Sequence, residues 1–343
     1  MSNSSLDQQG RVTMKDVALL AGVSQSTVSF VLNGQEDMRI SSETRKRVMD
    51  AVAALGYRAR AAGRPVKNRN RVIGLMFDEV ATSPFAAISI EGVQEEAWKQ
   101  NVLVEVVMTG SDKAYENAIL RKWSADRVEG VIYGSILTRK VKAPDALIKH
   151  KTVLLNCYED KEHYPSVVPA ERRGGETAAR MLIEAGHRKI AFITGENWME
   201  ASDQRLEGYE RALRAAGIPI DPNLIVEGNF LPSGGRTATL RLLDGATRPD
   251  AIFCANDLMA VGCYEALKER GERVGETIAV MGYDDQEIAQ HLSPALSTVL
   301  LPHREMGNWC AQYLIDGVSS DDTNLRMECP VVKRASHMRD MGR

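Results

Sequence analysis

Residues Thr13–Gly34 read TMKDVALLAGVSQSTVSFVLNG, and their punctuation decides the first domain. Thr13 with Asp16 three residues on forms a T-x-x-D capping box, so a helix starts at Met14 and turns Val17, Ala18 and Ala21 to one face. Gly22 ends it, because glycine takes the left-handed conformation that closes a helix, and the Ser24 hydroxyl caps a second helix running to about Leu32. Val28, Val31 and Leu32 of that second helix point inward. Gln25, Ser26, Ser29 and Phe30 are left outward, three polar groups and a ring that suit the major groove of DNA. Two helices alone also fit an ordinary helical hairpin. The run ISSETRKRVMDAVAALGY from Ile40 to Tyr57 shifts the balance: it begins at a Ser42 cap, carries apolar Val48, Val52, Ala53 and Leu55, and can close a three-helix core decorated by Arg45, Lys46 and Arg47.

Charge makes the same point independently. Residues 1–71 hold 12 Lys or Arg against 6 Asp or Glu, a net +6, whereas residues 72–343 hold 31 against 40, a net −9. A basic module on an acidic body is the footprint of a chain that engages phosphates at one end only. Between Arg58 and Arg71 lie six basic residues and no acid, a segment that reads both as a linker and as a phosphate contact.

The chain of 343 residues is long enough for two to three domains, and 44% apolar with 26% charged residues is ordinary globular composition. The start MSNSSLDQQG has neither a basic n-region nor an apolar h-region, and no apolar run is long enough to span a bilayer, so the expected location is cytoplasmic with no membrane partner. Cys157, Cys254, Cys263, Cys310 and Cys329 have no metal-ligand spacing and read as reduced, buried thiols; neither a metal nor a cofactor is expected.

From residue 72 the pattern changes to apolar strands alternating with amphipathic helices. Strands are expected at 72–77, 102–107, 130–133, 152–156, 189–194, 224–227, 251–254 and 278–283, with a helix over 88–100 after the first. Such alternation implies parallel sheets, in which ligands sit beyond the carboxyl ends of the strands. Those positions here hold Asp78, Phe85, Asn156, Trp198, Arg205, Phe230, Asn256 and Asp284. Carboxylates, amides and an arginine can share a sugar's hydroxyls while rings stack on its apolar face. Each also has a bland use: Asn256 can cap the helix after it, Asp284 can shape a turn, and Arg205 can pair with a neighbouring carboxylate. A sugar or sugar derivative is the expected ligand, a nucleobase or phosphorylated metabolite the alternative.

The chain resembles the LacI/GalR family of bacterial repressors over nearly its whole length. The likeness rests on TMKDVALLAGVSQSTVSFVLNG, SSETRKRVMDAVAALGY, LIEAGHRKIAFITG at Leu182–Gly195, RLEGYERALRAAGI at Arg205–Ile218, FCANDLMAVG at Phe253–Gly262 and VMGYDDQEIAQHLSPALSTV at Val280–Val299. The resemblance implies an all-α helix-turn-helix domain over 1–57, a basic hinge over 58–71, and over 72–343 a two-lobed α/β core like periplasmic binding proteins, with lobe crossovers near 156–167 and 282–300. It implies a homodimer on a double-stranded operator with an inverted repeat, controlled by a small-molecule effector held between the lobes. It places Gln25, Ser26 and Phe30 on base edges, and Thr13, Ser24, Thr27, Ser29 and Asn33 on or near phosphates, with Arg58 a further phosphate partner. Phe30 can contact a thymine methyl or simply pack on its own helix.

Two departures stand out. Where relatives place a hinge helix with a minor-groove leucine, this chain has Gly63-Arg64-Pro65-Val66; the proline and glycine disfavour a helix, leaving Val66 as a shorter wedge or the stretch with Arg64 as an extended arginine-rich arm. Where many relatives carry Asp-Asn, this chain has Ala170-Glu171, so no effector role is carried onto that pair. The rival class is a nucleotide-dependent sugar-modifying enzyme, which the fold alone would allow. Against it, the sequence has no phosphate-binding glycine loop after the first strand, no nucleophile elbow and no H-E-x-x-H pair, its six histidines are scattered, and His187 beside Gly186 reads as a helix cap.

Overall fold

A computed structural model describes residues 12–32, 40–57, 71–79, 84–160, 163–317 and 324–338. The chain divides into two compact units, Met1–Arg69 and Asn70–Arg343.

The first unit holds α1 (Met14–Ala21), α2 (Gln25–Leu32) and α3 (Ser42–Leu55). The capping box forms as read: the Thr13 amide and hydroxyl donate to Asp16 Oδ2 at 2.8 and 2.7 Å, and Thr13 Oγ1 accepts from the Asp16 amide at 3.4 Å. Gly22 sits at φ 65° and its neighbour's amide, Val23 N–H, closes onto Ala18 O, while Ser24 Oγ accepts from Thr27 N–H at 3.1 Å. Val17, Ala18, Ala21, Val28, Val31, Val48 and Ala51 make the core. Two expectations for α3 shift by a position or two. Ser41, not Ser42, is the cap, since its hydroxyl accepts from Thr44 N–H. Ala51 is buried and Ala53 exposed, because at 3.6 residues per turn the row through Val48 passes 51, 52 and 55 and turns 53 outward.

The second unit runs β1 (Arg71–Phe77), α4 (Pro84–Lys99), β2 (Val102–Met108), α5 (Lys113–Asp126), β3 (Val131–Lys140), β4 (Thr152–Tyr158), β5 (Ser166–Pro169), α6 (Glu171–Glu184), β6 (Ile190–Thr194), α7 (Glu200–Ala215), β7 (Ile225–Glu227), α8 (Pro232–Leu243), β8 (Ala251–Cys254), α9 (Asp257–Glu269), β9 (Ala279–Met281), α10 (Ile288–His291), β10 (Thr298–Val299), α11 (His303–Asp316), β11 (Asn324–Met327) and β12 (Val331–Val332). It contains a six-stranded parallel sheet ordered β11-β5-β4-β3-β1-β2 and a four-stranded parallel sheet ordered β7-β6-β8-β9. Both faces of each sheet are covered, which is why the strands read as unbroken apolar runs. In β1, Ile73, Leu75 and Phe77 join Met306 and Cys310 on one face, while Met76 joins Leu120 and Trp123 on the other.

Each sheet with its helices is a lobe, and the chain passes between lobes three times. The passages fall at Pro169–Glu171, at Leu300–His303 and between β11 and β12. The first lies just past the crossover expected near 156–167, since residues 156 and 167 are both in the first sheet; the second adjoins the end of the one expected near 282–300, and the third adds to them. Strand β11, with the sequence NLRM, carries too little apolar signal to be read locally, yet it pairs in parallel with β5. The passages bond to one another through backbone, Ala170 N–H to Met327 O and Leu300 N–H to Pro330 O, both at 2.8 Å. His187 is also more than a cap: it is buried, and its Nε2 lies 3.2 Å from the carbonyl of His337.

Candidate nucleic-acid interface and ligand cavity

In the first unit, Ser24, Gln25 and Ser26 are exposed, and Thr27, Ser29 and Phe30 are half-buried. The Ser24 hydroxyl lies 2.8 Å from both Ser26 Oγ and Thr27 Oγ1, so three hydroxyls cluster at the start of α2, where unpaired amides favour phosphate oxygens. Phe30 is outside the residues that form the unit's core. Thr13 is engaged in the capping box. Asn33, Arg58, Arg64 and Val66 lie outside the described residues.

Between the two lobes of the second unit is a cavity of about 260 Å³. The first lobe contributes Phe85 from the start of α4, Thr138 from β3, Asn156 from β4 and His303 from the start of α11; the second contributes Glu171, Arg205, Phe230, Asn256, Asp284 and Gln286. Phe85 stacks on His303 with ring centroids 5.0 Å apart. Asn156, Phe230 and Asp284 have φ of 57°, 57° and 107°, so three non-glycine residues in the left-handed region converge on one cavity, where such strain clusters at functional sites.

Arg205 dominates the electrostatics. It is 3% exposed, its Nε and Nη2 donate to Glu171 Oε2 and Oε1 at 2.8 and 2.9 Å, and its Nη1 donates to the Ala255 carbonyl at 2.5 Å and to Asp284 Oδ1 at 3.4 Å. Burial opposes its charge, but attraction from Glu171 and then Asp284 outweighs that, and its pKa is raised. Burial pushes the Asp284 carboxyl up to about 7, more than Arg205 and Gln286 pull it down. Burial, with the Arg205 charge nearby, lowers His303 to about 4 and keeps it neutral.

Six of the eight anticipated cavity residues line it: Phe85, Asn156, Arg205, Phe230, Asn256 and Asp284. Two do not. Asp78 is buried behind the wall, ion-paired with Arg139 and 3.4 Å from the Ile136 amide. Trp198 is 70% exposed on the loop after β6, and Met199 and Ala201 take its place in the lining. Asn256 serves twice, since its Oδ1 caps α9 through Met259 N–H at 2.8 Å while it faces the cavity. Arg205 and Asp284 belong to the same lobe, being attached to α7 and to the end of β9. Sequence reasoning missed Glu171, Thr138, Gln286 and His303. Glu171 carries no local signal of its role, because its partner Arg205 lies on a different helix.

Among the described residues no group of three or more His, Cys, Asp or Glu is placed to hold a metal ion, and no helix is long and apolar enough to cross a membrane. A helix-turn-helix in one chain with a two-lobed, cavity-bearing α/β unit defines a ligand-responsive DNA-binding regulator. Comparisons narrow the class. Residues 13–59 match the lacI family of bacterial regulatory proteins, and residues 179–337 match the periplasmic binding protein-like domain. The ribose operon repressor of Haemophilus influenzae is 35% identical over 92% of this chain and 94% of its own. The HTH-type transcriptional repressor PurR of Vibrio atlanticus is 33% identical over 94% of this chain and 98% of its own. Among solved structures, the transcriptional regulator CelR in complex with cellobiose matches with TM-score 0.62 and 31% identity over 95% of this chain and 100% of that one. The lac repressor dimer bound to operator and the anti-inducer ONPF matches with TM-score 0.67 and 27% identity over 96% and 99%. The chain belongs to the lacI family of bacterial transcriptional regulators. These relatives lend the enzyme alternative no support, since all are named as regulators or repressors.

Proposed function

We propose that this protein is a cytoplasmic repressor that binds an inverted-repeat operator as a homodimer and changes its operator affinity when one carbohydrate ring occupies the inter-lobe cavity. The observation that carries the reading is the cavity itself, because its walls come from both lobes. A ligand touching both can favour one lobe arrangement over another, which is the only way it can shift the equilibrium. Phe85 and Phe230 offer rings to the apolar face of a sugar, and a few polar groups, among them Thr138, Asn256, Asp284 and Gln286, are set into an otherwise largely apolar wall. The volume of about 260 Å³ lies just under the usual range for ligand pockets and favours one ring over two. The names of the ribose operon repressor and the CelR–cellobiose complex favour a carbohydrate.

On the DNA side, Gln25, Ser26 and Phe30 read base edges, and the Ser24, Thr27 and Ser29 region with Thr13 tracks phosphates. Asn33, Arg58, Arg64 and Val66 remain assigned by family resemblance, with the last three on the basic segment after Tyr57. The test pairs two measurements on the full chain. A monosaccharide panel screened by thermal shift should contain a member that stabilises the fold, by about 2.7 kcal/mol at 100 times its dissociation constant. That same sugar should change the midpoint of a gel shift on palindromic DNA. Binding that prefers no palindrome over random duplex, or a stabilising sugar without effect on the DNA complex, would refute the proposal.

A further inference from the structure

We infer that the effector is a hydrogen-bond-donating ring without negative charge, a monosaccharide or its amino derivative, and that Glu171 is the residue that makes the cavity reject sugar acids and sugar phosphates. The inference rests on the carbohydrate reading above and adds the charge class.

An arginine in a ligand cavity ordinarily invites an anion, because its planar fork matches a carboxylate or phosphate. Here four of the five N–H groups are engaged, and neither two-pronged edge of the fork is left open. Glu171 takes Nε and Nη2 bidentately, and the Ala255 carbonyl and Asp284 take Nη1. The guanidinium carbon lies over the Tyr283 ring, 3.8 Å from its centroid, and the group cannot swing out to meet a ligand without abandoning a buried carboxylate.

The amides are committed in the same way. Asn156 Nδ2 donates to the carbonyls of Ser135 and Ile136 at 3.1 and 3.0 Å, and its Oδ1 accepts from Thr138 at 2.6 Å. Asn256 Nδ2 donates to the Phe230 carbonyl at 3.0 Å while Oδ1 caps α9. Gln286 Nε2 donates to Asp284 Oδ2 at 3.1 Å. Asn156 has no N–H left, and Asn256 and Gln286 each spend one of two, so donors are scarce in the wall.

Acceptors are not spent. Each of the four carboxylate oxygens of Glu171 and Asp284 accepts one of the side-chain bonds above, and a carboxylate oxygen has room for two. The titratable groups lining the cavity are Glu171, Arg205, Asp284 and His303, two potential anions against one fixed cation with the imidazole neutral. An anionic ligand would find few donors, and would meet repulsion wherever Asp284 is ionised. A hydroxyl-rich ring, or a ring bearing an ammonium, would meet complementary oxygens. Asp284 protonated at its carboxyl would supply a single donor, which leaves the acceptor surplus in place.

The experiment uses the full-length protein and a matched panel: pentoses and hexoses, each as the free sugar, the 2-amino sugar, the uronic acid and the phosphate ester, titrated calorimetrically. The expected result in the wild type is that the best-binding sugar outbinds its own acid and phosphate by more than about tenfold, with the amino form comparable or tighter. In Glu171→Gln the gap between free sugar and acid should narrow by about tenfold or more, because Arg205 gains an unfilled edge. An acid or phosphate binding the wild type more tightly than its parent sugar overturns this inference and leaves the carbohydrate reading standing. A panel without any binder overturns the carbohydrate reading, and this inference with it. The wild-type comparison decides the charge class even where Glu171→Gln does not fold, and a gap that stays unchanged in a folded Glu171→Gln overturns the role given to Glu171.

Discussion

The Arg205 guanidinium lies 3.8 Å from the centroid of the Tyr283 ring, a cation–π contact inside a fully buried site. The ring is pinned from behind. A Cβ placed on Gly174 of α6 would lie 2.0 Å from the Tyr283 hydroxyl oxygen and 2.9 Å from Cζ, so the absence of a side chain at 174 is what makes room for the ring where it meets Arg205.

Gly174→Ala should therefore cost about 1–3 kcal/mol by overpacking and should weaken effector binding, since the ring must tilt and carry Arg205 with it. Adding Tyr283→Phe removes the nearest clashing atom, and the double variant should recover part of the loss. Urea denaturation and ligand titration of the four-member cycle check this; strict additivity of the two substitutions would show that the contact does not couple them.

Arg205→Ala and Asp284→Asn should behave differently, although both residues line the cavity. Removing the guanidinium strands Glu171, which is 1% exposed, so Arg205→Ala should lose about 3–5 kcal/mol of stability and fold poorly. Asp284→Asn leaves the Arg205–Glu171 pair intact and should keep a cooperative melt and operator binding while losing the effector response. Circular dichroism melts followed by operator gel shifts with and without the sugar distinguish the two; a normal response in Asp284→Asn would remove that residue from the site.

Stability should depend on pH through two groups with opposite signs. Asp284 keeps its proton to about 7 in the folded chain against 3.8 ordinarily, so the folded state binds more protons in that window and stability from this group falls as pH rises from 3.8 to about 7. His303 stays neutral down to about 4 against 6.5 ordinarily, so the unfolded state binds more protons there and stability rises with pH from about 4 to 6.5. The two offset each other below 6.5. Chemical denaturation between pH 4.5 and 8 should show Asp284→Asn gaining on the wild type as pH rises towards 7, and His303→Gln losing ground to it as pH rises from 4.5 to 6.5. Difference curves flat with pH would contradict both assignments.

Phe30→Arg should change which operator bases are preferred and leave the melt of the helical unit unchanged, since Phe30 lies outside its core. Val28→Ala, which removes two methyl groups from that core, should instead destabilise the unit by about 1–3 kcal/mol and weaken binding to every sequence alike. Selection of bound sequences from a randomised duplex pool reads the difference. If Phe30→Arg moved only the melting temperature, the ring would be a packing residue.

Local rules were enough for the DNA-reading unit. Capping at Thr13 and Ser24, closure at Gly22 and the 3.6-residue apolar rows within each of α1, α2 and α3 act within a few residues along the chain, so they are written in its order. The strands of the second unit were legible for a related reason: burial on both faces demands apolar runs, and cavity residues follow those runs. Lobe membership was not legible. That Arg205 and Asp284 share a lobe, that Asp78 is paired away with Arg139, and that Trp198 faces outward depend on sheet order and on three passages between lobes, which no local pattern encodes. The pairing of Glu171 with Arg205 is the clearest case. It joins residues 34 positions apart on two different helices, and only the packing of α6 against α7 turns a residue that departs from its relatives into the counter-charge that sets what the cavity can accept.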